Sequence, residues 1–176
     1  GNICTGDAHG DLGHPVNAKS NDFMAGKYNT KPMLTTISPV HRVDVAPAVV
    51  GDISIYAPIV LTFDKPMDKT AVEGAFSVFR HDDDGILTQT TASFTATDFD
   101  YSWAQDHQTV SATVKAEKAS FEYNRAYTVK LIVNSGAQPA FDIYSNVVSS
   151  ARGFTEGTTI GKDGTGENAI EWSFKT

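Results

Sequence analysis

An all-β fold is what this sequence predicts: an antiparallel β-sandwich of about seven to nine strands with one short helix and an irregular N-terminal extension. Two observations point there first. From Leu34 onward, apolar residues recur at alternate positions in short runs separated by turn residues, which is the period of a half-buried strand. Before that, from Gly1 to about Lys31, the residues are small and polar and are interrupted by Gly6, Gly10, Gly13 and Gly26, which is loop-like sequence. A third observation makes the sandwich feasible. Hydrophobic residues form 40% of the 176, with 10 Phe among them, so a sizeable core can be buried and disorder throughout is not expected. The division drawn from this texture is an extension or linker over 1–35 and a sandwich domain over 36–176.

The elements follow from the alternation. Ile53 and Ile55, then Ile59, Leu61 and Phe63, read as strand interrupted at Pro58, which removes a ladder donor and marks a break, an edge or a switch of sheets. Asp68 is placed to cap a short helix, Thr70 and Glu73 have capping-box spacing one turn on, and Gly74 supplies a stop. Such a helix connects strands rather than adding a layer. Further strands are expected at Phe76 and Val78, within Ile86 to Phe99, at Val110, Ala112 and Val114, from Tyr127 to Val133, and at Ile170, Trp172 and Phe174. No internal repeat is present.

Composition excludes some partners. Fourteen basic residues against 21 acidic ones give a net charge of −7, which repels phosphate backbones and anionic lipid surfaces, so nucleic acid is not an expected partner. No apolar run reaches the roughly 18 residues that a membrane-spanning helix needs, so no membrane insertion is expected. The chain opens on Gly1 with neither an initiating Met nor a leader, and it reads as an excised piece of a longer precursor. Its single cysteine, Cys4, cannot close an internal disulfide, so packing alone must hold the fold. A lipid-modified Cys4 is the sharper reading of that residue, although Gly1, Asn2 and Ile3 precede it.

The stretch Pro58-Ile59-Val60-Leu61-Thr62-Phe63-Asp64-Lys65-Pro66-Met67-Asp68 runs from an apolar strand into a distinctive Asp-Lys-Pro-Met-Asp sequence. It resembles the signature of bacterial immunoglobulin-like domains of the S-layer and surface-protein type. The likeness extends to Ser38-Pro39-Val40, to Ile53 through Pro58, to the turn Ala71 to Phe76, and to Ser102 through Val110, which is similar to that family's tryptophan-to-aspartate hairpin. Phe121 through Leu131 and the ending Glu171 to Thr176 resemble its late and terminal strands, so residues 38 to 176 are covered. The resemblance implies an Ig-like sandwich in an exported, extracellular or cell-surface bacterial protein. It also implies a structural role for Trp103, and a tyrosine corner at Tyr127, whose ring would join Phe63, Phe121, Trp172 and Phe174 in the core. Asp142-Ile143-Tyr144-Ser145-Asn146 departs from the family's Asp-x-x-Gly-Asn turn, and Ser145 in place of glycine implies a less tightly turned backbone. Two further segments, His81 to Gln108 and Asn146 to Asn168, are longer than a compact sandwich needs, and long loops on a rigid scaffold are where binding residues concentrate.

Three clusters carry chemistry. Asp98, Asp100, Tyr101 and Trp103, with Phe99, combine aromatic faces with carboxylates, the pairing that sugar recognition uses, and they form the candidate ligand-binding site; packing is the competing role of the two larger rings. Asp82, Asp83 and Asp84 before Gly85 offer oxygen ligands to a hard cation, so calcium is the one metal considered there; the alternative is an acidic hairpin turn, since the acids are consecutive and no Glu closes an EF-hand. Asp7, His9, Asp11 and His14 could hold a transition metal, against the alternative of a solvated loop. No catalytic residues are assigned. Five histidines lack any accompanying nucleophile motif, and neither Gly-x-Ser-x-Gly nor His-Glu-x-x-His occurs. The expected function is therefore a non-catalytic module acting as a spacer or adhesion unit between neighbouring domains of a longer chain. A carbohydrate- or protein-binding module, contacting a glycan or a host or cell-surface protein, is one alternative, and an accessory domain of a secreted hydrolase is another.

Overall fold

A computed structural model describes residues 30–133, 138–148, 150–151, 159–162 and 168–176, with the backbone alone for 150, 151, 159–162 and 168. Contacts divide the chain between Thr30 and Lys31, and everything below concerns the larger unit. Its elements are β1 (Met33–Ser38), β2 (Ile59–Phe63), α1 (Lys69–Gly74), β3 (Phe76–Arg80), a 3-10 turn (Ala96–Asp98), β4 (Phe99–Trp103), β5 (Thr109–Val114), β6 (Ala126–Ile132), β7 (Ser150–Ala151), β8 (Thr159–Lys162) and β9 (Asn168–Lys175). They form two sheets, ordered β4-β5-β2-β1-β7 and β3-β6-β9-β8. The all-β sandwich is thus realised. Every strand pair is antiparallel except β1 with β7, which is parallel.

Alternation decides what is inside. Ile59, Leu61 and Phe63 of β2 point into the sandwich while Val60 and Thr62 do not, and Thr62 Oγ1 meets Thr109 Oγ1 of β5 at 3.1 Å across the outer face. The central strand β6 is buried on both faces. Its inward residues Tyr127, Val129 and Leu131 join the core, whereas Thr128 on the other face is covered by His81 Nε2 at 2.7 Å and Ser173 Oγ at 2.8 Å. Aromatic rings fill the core: Phe76 of β3 and Phe99 of β4 meet edge to face at 5.0 Å across the two sheets, and Tyr127 stacks on Phe174 of the neighbouring strand β9 at 5.5 Å. The Tyr127 hydroxyl accepts the Glu122 amide at 2.8 Å, the corner expected of it.

Several local expectations are corrected. Ile53 and Ile55 are not in a strand: residues 51–58 are irregular around a turn at 55–56, and β2 begins only after Pro58, whose missing N–H ends the ladder. Their side chains still pack against or within the core, which is why they carry a strand-like pattern. From Ile86 to Phe99 the chain is irregular apart from a bridge between Phe94 and Val78 and the 3-10 turn, and the regular strand starts at Phe99 instead. Asp68 does cap α1, accepting Ala71 N at 2.9 Å, but Glu73 makes no capping box because its carboxylate accepts the Trp103 indole N–H at 2.8 Å. Gly74 closes the helix without a left-handed cap, since Ala75 keeps right-handed angles and leads straight into β3. The turn at 142–146 is as tight as a glycine would allow: Ser145 adopts φ 66° and donates its amide to Asp142 O at 3.0 Å.

Register fixes a direction. β1 begins beside Phe63 and Asp64, with Leu34 opposite Phe63, whereas β9 ends with Lys175 opposite Ala126, at the Arg80 end of its sheet. Because α1 carries the chain from Phe63 directly to Phe76, these are opposite ends of the sandwich. The first strand enters at one and the last leaves at the other.

Two stability predictions follow from burial and backbone geometry. Trp172 is 1% exposed, and Trp172→Ala should lower the unfolding free energy by about 3–5 kcal/mol in urea titration. Ser145→Gly should raise it by roughly 0.5–1 kcal/mol, because the left-handed strain on a residue with a Cβ exceeds the extra chain entropy of glycine.

Candidate functional site

The structure sets Asp100 apart from the other three residues of the expected ligand site. β4 alternates, so Phe99, Tyr101 and Trp103 face inward while Asp100 and Ser102 face outward. Tyr101 is half-buried against Phe76, and its hydroxyl donates to Ala96 O at 2.8 Å. Burial, with the negative charges of Glu73 and Asp98 nearby, pushes its ionisation well above the ordinary phenol range. Trp103 is half-buried and pinned by Glu73. Asp100 is exposed on the opposite face.

Asp98 is the most constrained of the four. Its carboxylate accepts the Thr95 amide at 2.8 Å and the Thr95 hydroxyl at 3.0 Å and pairs with Lys118 Nζ at 2.8 Å. The Lys118 hydrogen bond, then the Thr95 amide, lower its pKa from 3.8 to about 2. That carboxylate closes the 3-10 turn that opens β4, and it fixes a lysine on the neighbouring turn.

The acidic run folds as a turn. Gly85 sits at φ 81°, and Asp82 N donates to Ile86 O at 2.9 Å. Its three carboxylates face different partners. Asp82 accepts from Thr88 Oγ1 and, at 2.8 Å, from Gln89 Nε2, hydrogen bonds that lower its pKa. Asp83 binds Arg125 at 2.6 Å, and Asp84 accepts the Ile86 amide at 2.9 Å. Arg80 and Arg125 both reach Glu122 as well, so the acidic turn is tied to the Tyr127 corner by a four-residue charge network. A calcium ion at 82–84 would have to draw these oxygens from those partners. Among the described residues no three His, Cys, Asp or Glu side chains are gathered in a metal-binding group.

The histidines within the described residues serve the scaffold. His41 Nδ1 accepts Ser173 N at 3.0 Å, and partial burial lowers its pKa; His81 is buried between Gly85 O and Thr128 on the face of β6 away from the core; His107 takes φ 60° in the β4–β5 turn. Cys4, the Asp7, His9, Asp11, His14 cluster, and most of the loop from Asn146 to Asn168 lie outside the described residues.

Sequence reasoning missed a different feature. Beside Asp98, a cleft of about 260 Å³ opens between the turns at 54–57 and 115–118. Ile55, Val114 and Phe121 form its apolar lining; Tyr56, Lys115 and Lys118 also line it. Tyr56 is 73% exposed. The alternation Ile53-x-Ile55 had assigned this stretch to a strand, which hid the fact that Tyr56 is presented on a turn. The signal available was Pro58 immediately downstream.

Asp98 also sets a pH dependence. Its folded pKa lies below its unfolded one, so the stability it contributes is present above pH 3.8 and is lost as pH falls toward 2. Asp98→Asn should therefore unfold at lower urea than the parent at pH 7, with the difference vanishing near pH 2. The chain matches no protein-family model, no curated protein and no solved structure.

Proposed function

We propose that this chain is a non-catalytic Ig-like module of an exported bacterial surface protein, serving as a spacer or adhesion unit. The observation that carries the reading is the direction of the chain: β1 enters at the Asp64 end and β9 leaves at the Arg80 end. A unit traversed in this way advances the chain by the length of its strands, about 26 Å for the eight residues of β9. Tension applied through it runs parallel to the strands, so all the hydrogen bonds of a ladder share the load and none is peeled first.

Support comes also from how the exit is held. Thr176 donates its amide to Arg125 O at 3.1 Å, and its hydroxyl bonds Glu122 O, so the last residue is fastened to the loop before β6. The run Asp64 to Asp68 is the most distinctive part of the stretch, residues 38 to 176, that resembles surface-protein Ig-like domains, and that resemblance is what suggests an extracellular setting. A rigid, end-to-end unit with a negative surface suits such a role.

Single-molecule pulling tests the mechanical claim. Stretching the full chain between Lys31 and Thr176 should require a clearly higher unfolding force than stretching between Asn124 and Thr176, where the β6–β9 ladder unzips one rung at a time. Equal or lower resistance in the end-to-end geometry would remove the spacer reading.

A further inference from the structure

The cleft at Tyr56 has the chemistry of a binding site. Its two walls are turns fixed by their own hydrogen bonds: Ala57 N to Ser54 O at 3.0 Å and Tyr56 N to Ser54 Oγ at 3.2 Å on one side, Lys118 N to Lys115 O at 2.9 Å on the other. It is preformed, so a ligand need not order it. The buried residues Ile55 and Phe121 give it an apolar lining, exposed 9% and 2%. Tyr56 is a large ring left in solvent, which a packing role does not explain.

Charge selects the occupant. Lys115 and Lys118 are the charged residues that line the cleft, on a chain whose net charge is −7. They are not equivalent. Lys118 is neutralised by Asp98 at 2.8 Å, while Lys115, whose amide is anchored on Asp98 O at 3.0 Å, makes no ion pair among the described residues. One ammonium without an ion pair among the described residues therefore stands beside an exposed aromatic ring and an apolar surface, with Thr113 and Ser120 also lining the space.

From this juxtaposition we infer that the cleft binds a carboxylate-bearing sugar unit of an acidic polysaccharide. Tyr56 stacks on the apolar face of the pyranose, Lys115 meets the carboxylate, and Thr113 and Ser120 take sugar hydroxyls. The volume, about 260 Å³, is at the small end for ligand sites and suits one ring held at a time rather than a long buried chain. A single ring bound this way is weak, and a polymer would be retained through many copies or repeats of the contact. Asp98 is then a positioning residue: it holds Lys118 and the Lys115 backbone in place.

The inference goes beyond the spacer reading and is tested independently of it. Heteronuclear NMR titration of the full chain with galacturonate oligosaccharides, neutral galactose oligosaccharides and a poly-glutamate peptide separates the alternatives. Galacturonate should shift amides at 54–57 and 113–121, neutral sugar should not, and binding should weaken at least tenfold on Lys115→Ala and on Tyr56→Ala, both of which should melt like the parent. Absence of shifts with millimolar galacturonate would overturn the inference. So would equal binding of poly-glutamate, which would make the site a generic contact for acidic peptides, or full retention of galacturonate binding by Tyr56→Ala.

Discussion

The fold depends on the tie between residues 64–68 and the turn at 142–146. Asp142 is fully buried, and an unpaired carboxylate there would be costly. Its Oδ1 accepts the amides of Tyr144 at 2.8 Å and Asn146 at 2.9 Å, while the Asn146 side chain donates to its Oδ2 at 3.1 Å, so the charge is met by a shell of donors from its own turn. Against that turn lies the run after β2. Ile143 N donates to Pro66 O at 3.2 Å and Asp68 N to Phe141 O at 3.1 Å, with Met67 buried between. The same few residues reach further: Asp64 exchanges hydrogen bonds with Met33 at the start of β1, Met67 N donates to His107 O of the β4–β5 turn at 2.9 Å, and Asp68 caps α1. The first sheet, the 142–146 turn and the helix that leads into β3 are located from this one segment.

That dependence explains what was legible in the sequence. Asp64 to Asp68 stands out because Asp64 and Asp68 use their carboxylates to accept the Met33 and Ala71 amides, and the strands at 59–63, 76–80, 109–114, 126–132 and 168–175 are visible because each sends apolar residues at alternate positions into the core. Where several demands compete, the pattern misleads. Ile53 and Ile55 alternate because their side chains pack on the core from a turn, and periodicity does not separate a core-facing turn from a strand. Glu73 has capping-box spacing, yet a Trp103 indole thirty residues on holds it, a long-range partner that local spacing does not reveal. Ser145 lacks the freedom of glycine, but the bonds converging on Asp142 impose the left-handed angle regardless.

The candidate site was only partly legible for a related reason. Aromatic and acidic residues adjacent in sequence suggested a binding cluster at 98–103, but a strand sends neighbours to opposite faces, so adjacency in sequence works against convergence in space. The contacts that hold the Asp98 carboxylate, an ammonium from residue 118 and the amide and hydroxyl of Thr95, are not visible in that pattern. Asp98 orders the 3-10 turn that opens β4 and holds Lys118. The cleft it supports is drawn from residues 55–57 and 113–121, two segments that no spacing rule connects.

The far end of the sandwich is locked by a second set of contacts. Lys175, 1% exposed, donates to Ala46 O at 2.5 Å and Pro47 O at 3.2 Å, and its carbonyl accepts the amides of Asp52 and Ile53. The segment between β1 and β2 thereby straps the last strand of the opposite sheet. Gly51 lies so close to the Thr176 carbonyl that an added Cβ would sit 1.8 Å from its oxygen, so no other residue fits without moving the strap. These contacts join residues about 130 apart in the chain, which makes them slow to form but resistant to local opening once made. A loop carried on such a frame keeps its shape without a ligand. The turn that presents Tyr56 follows directly on Ile53, whose amide is one of those held by Lys175, and so the exposed ring is set by the same lock that closes the end of the sandwich.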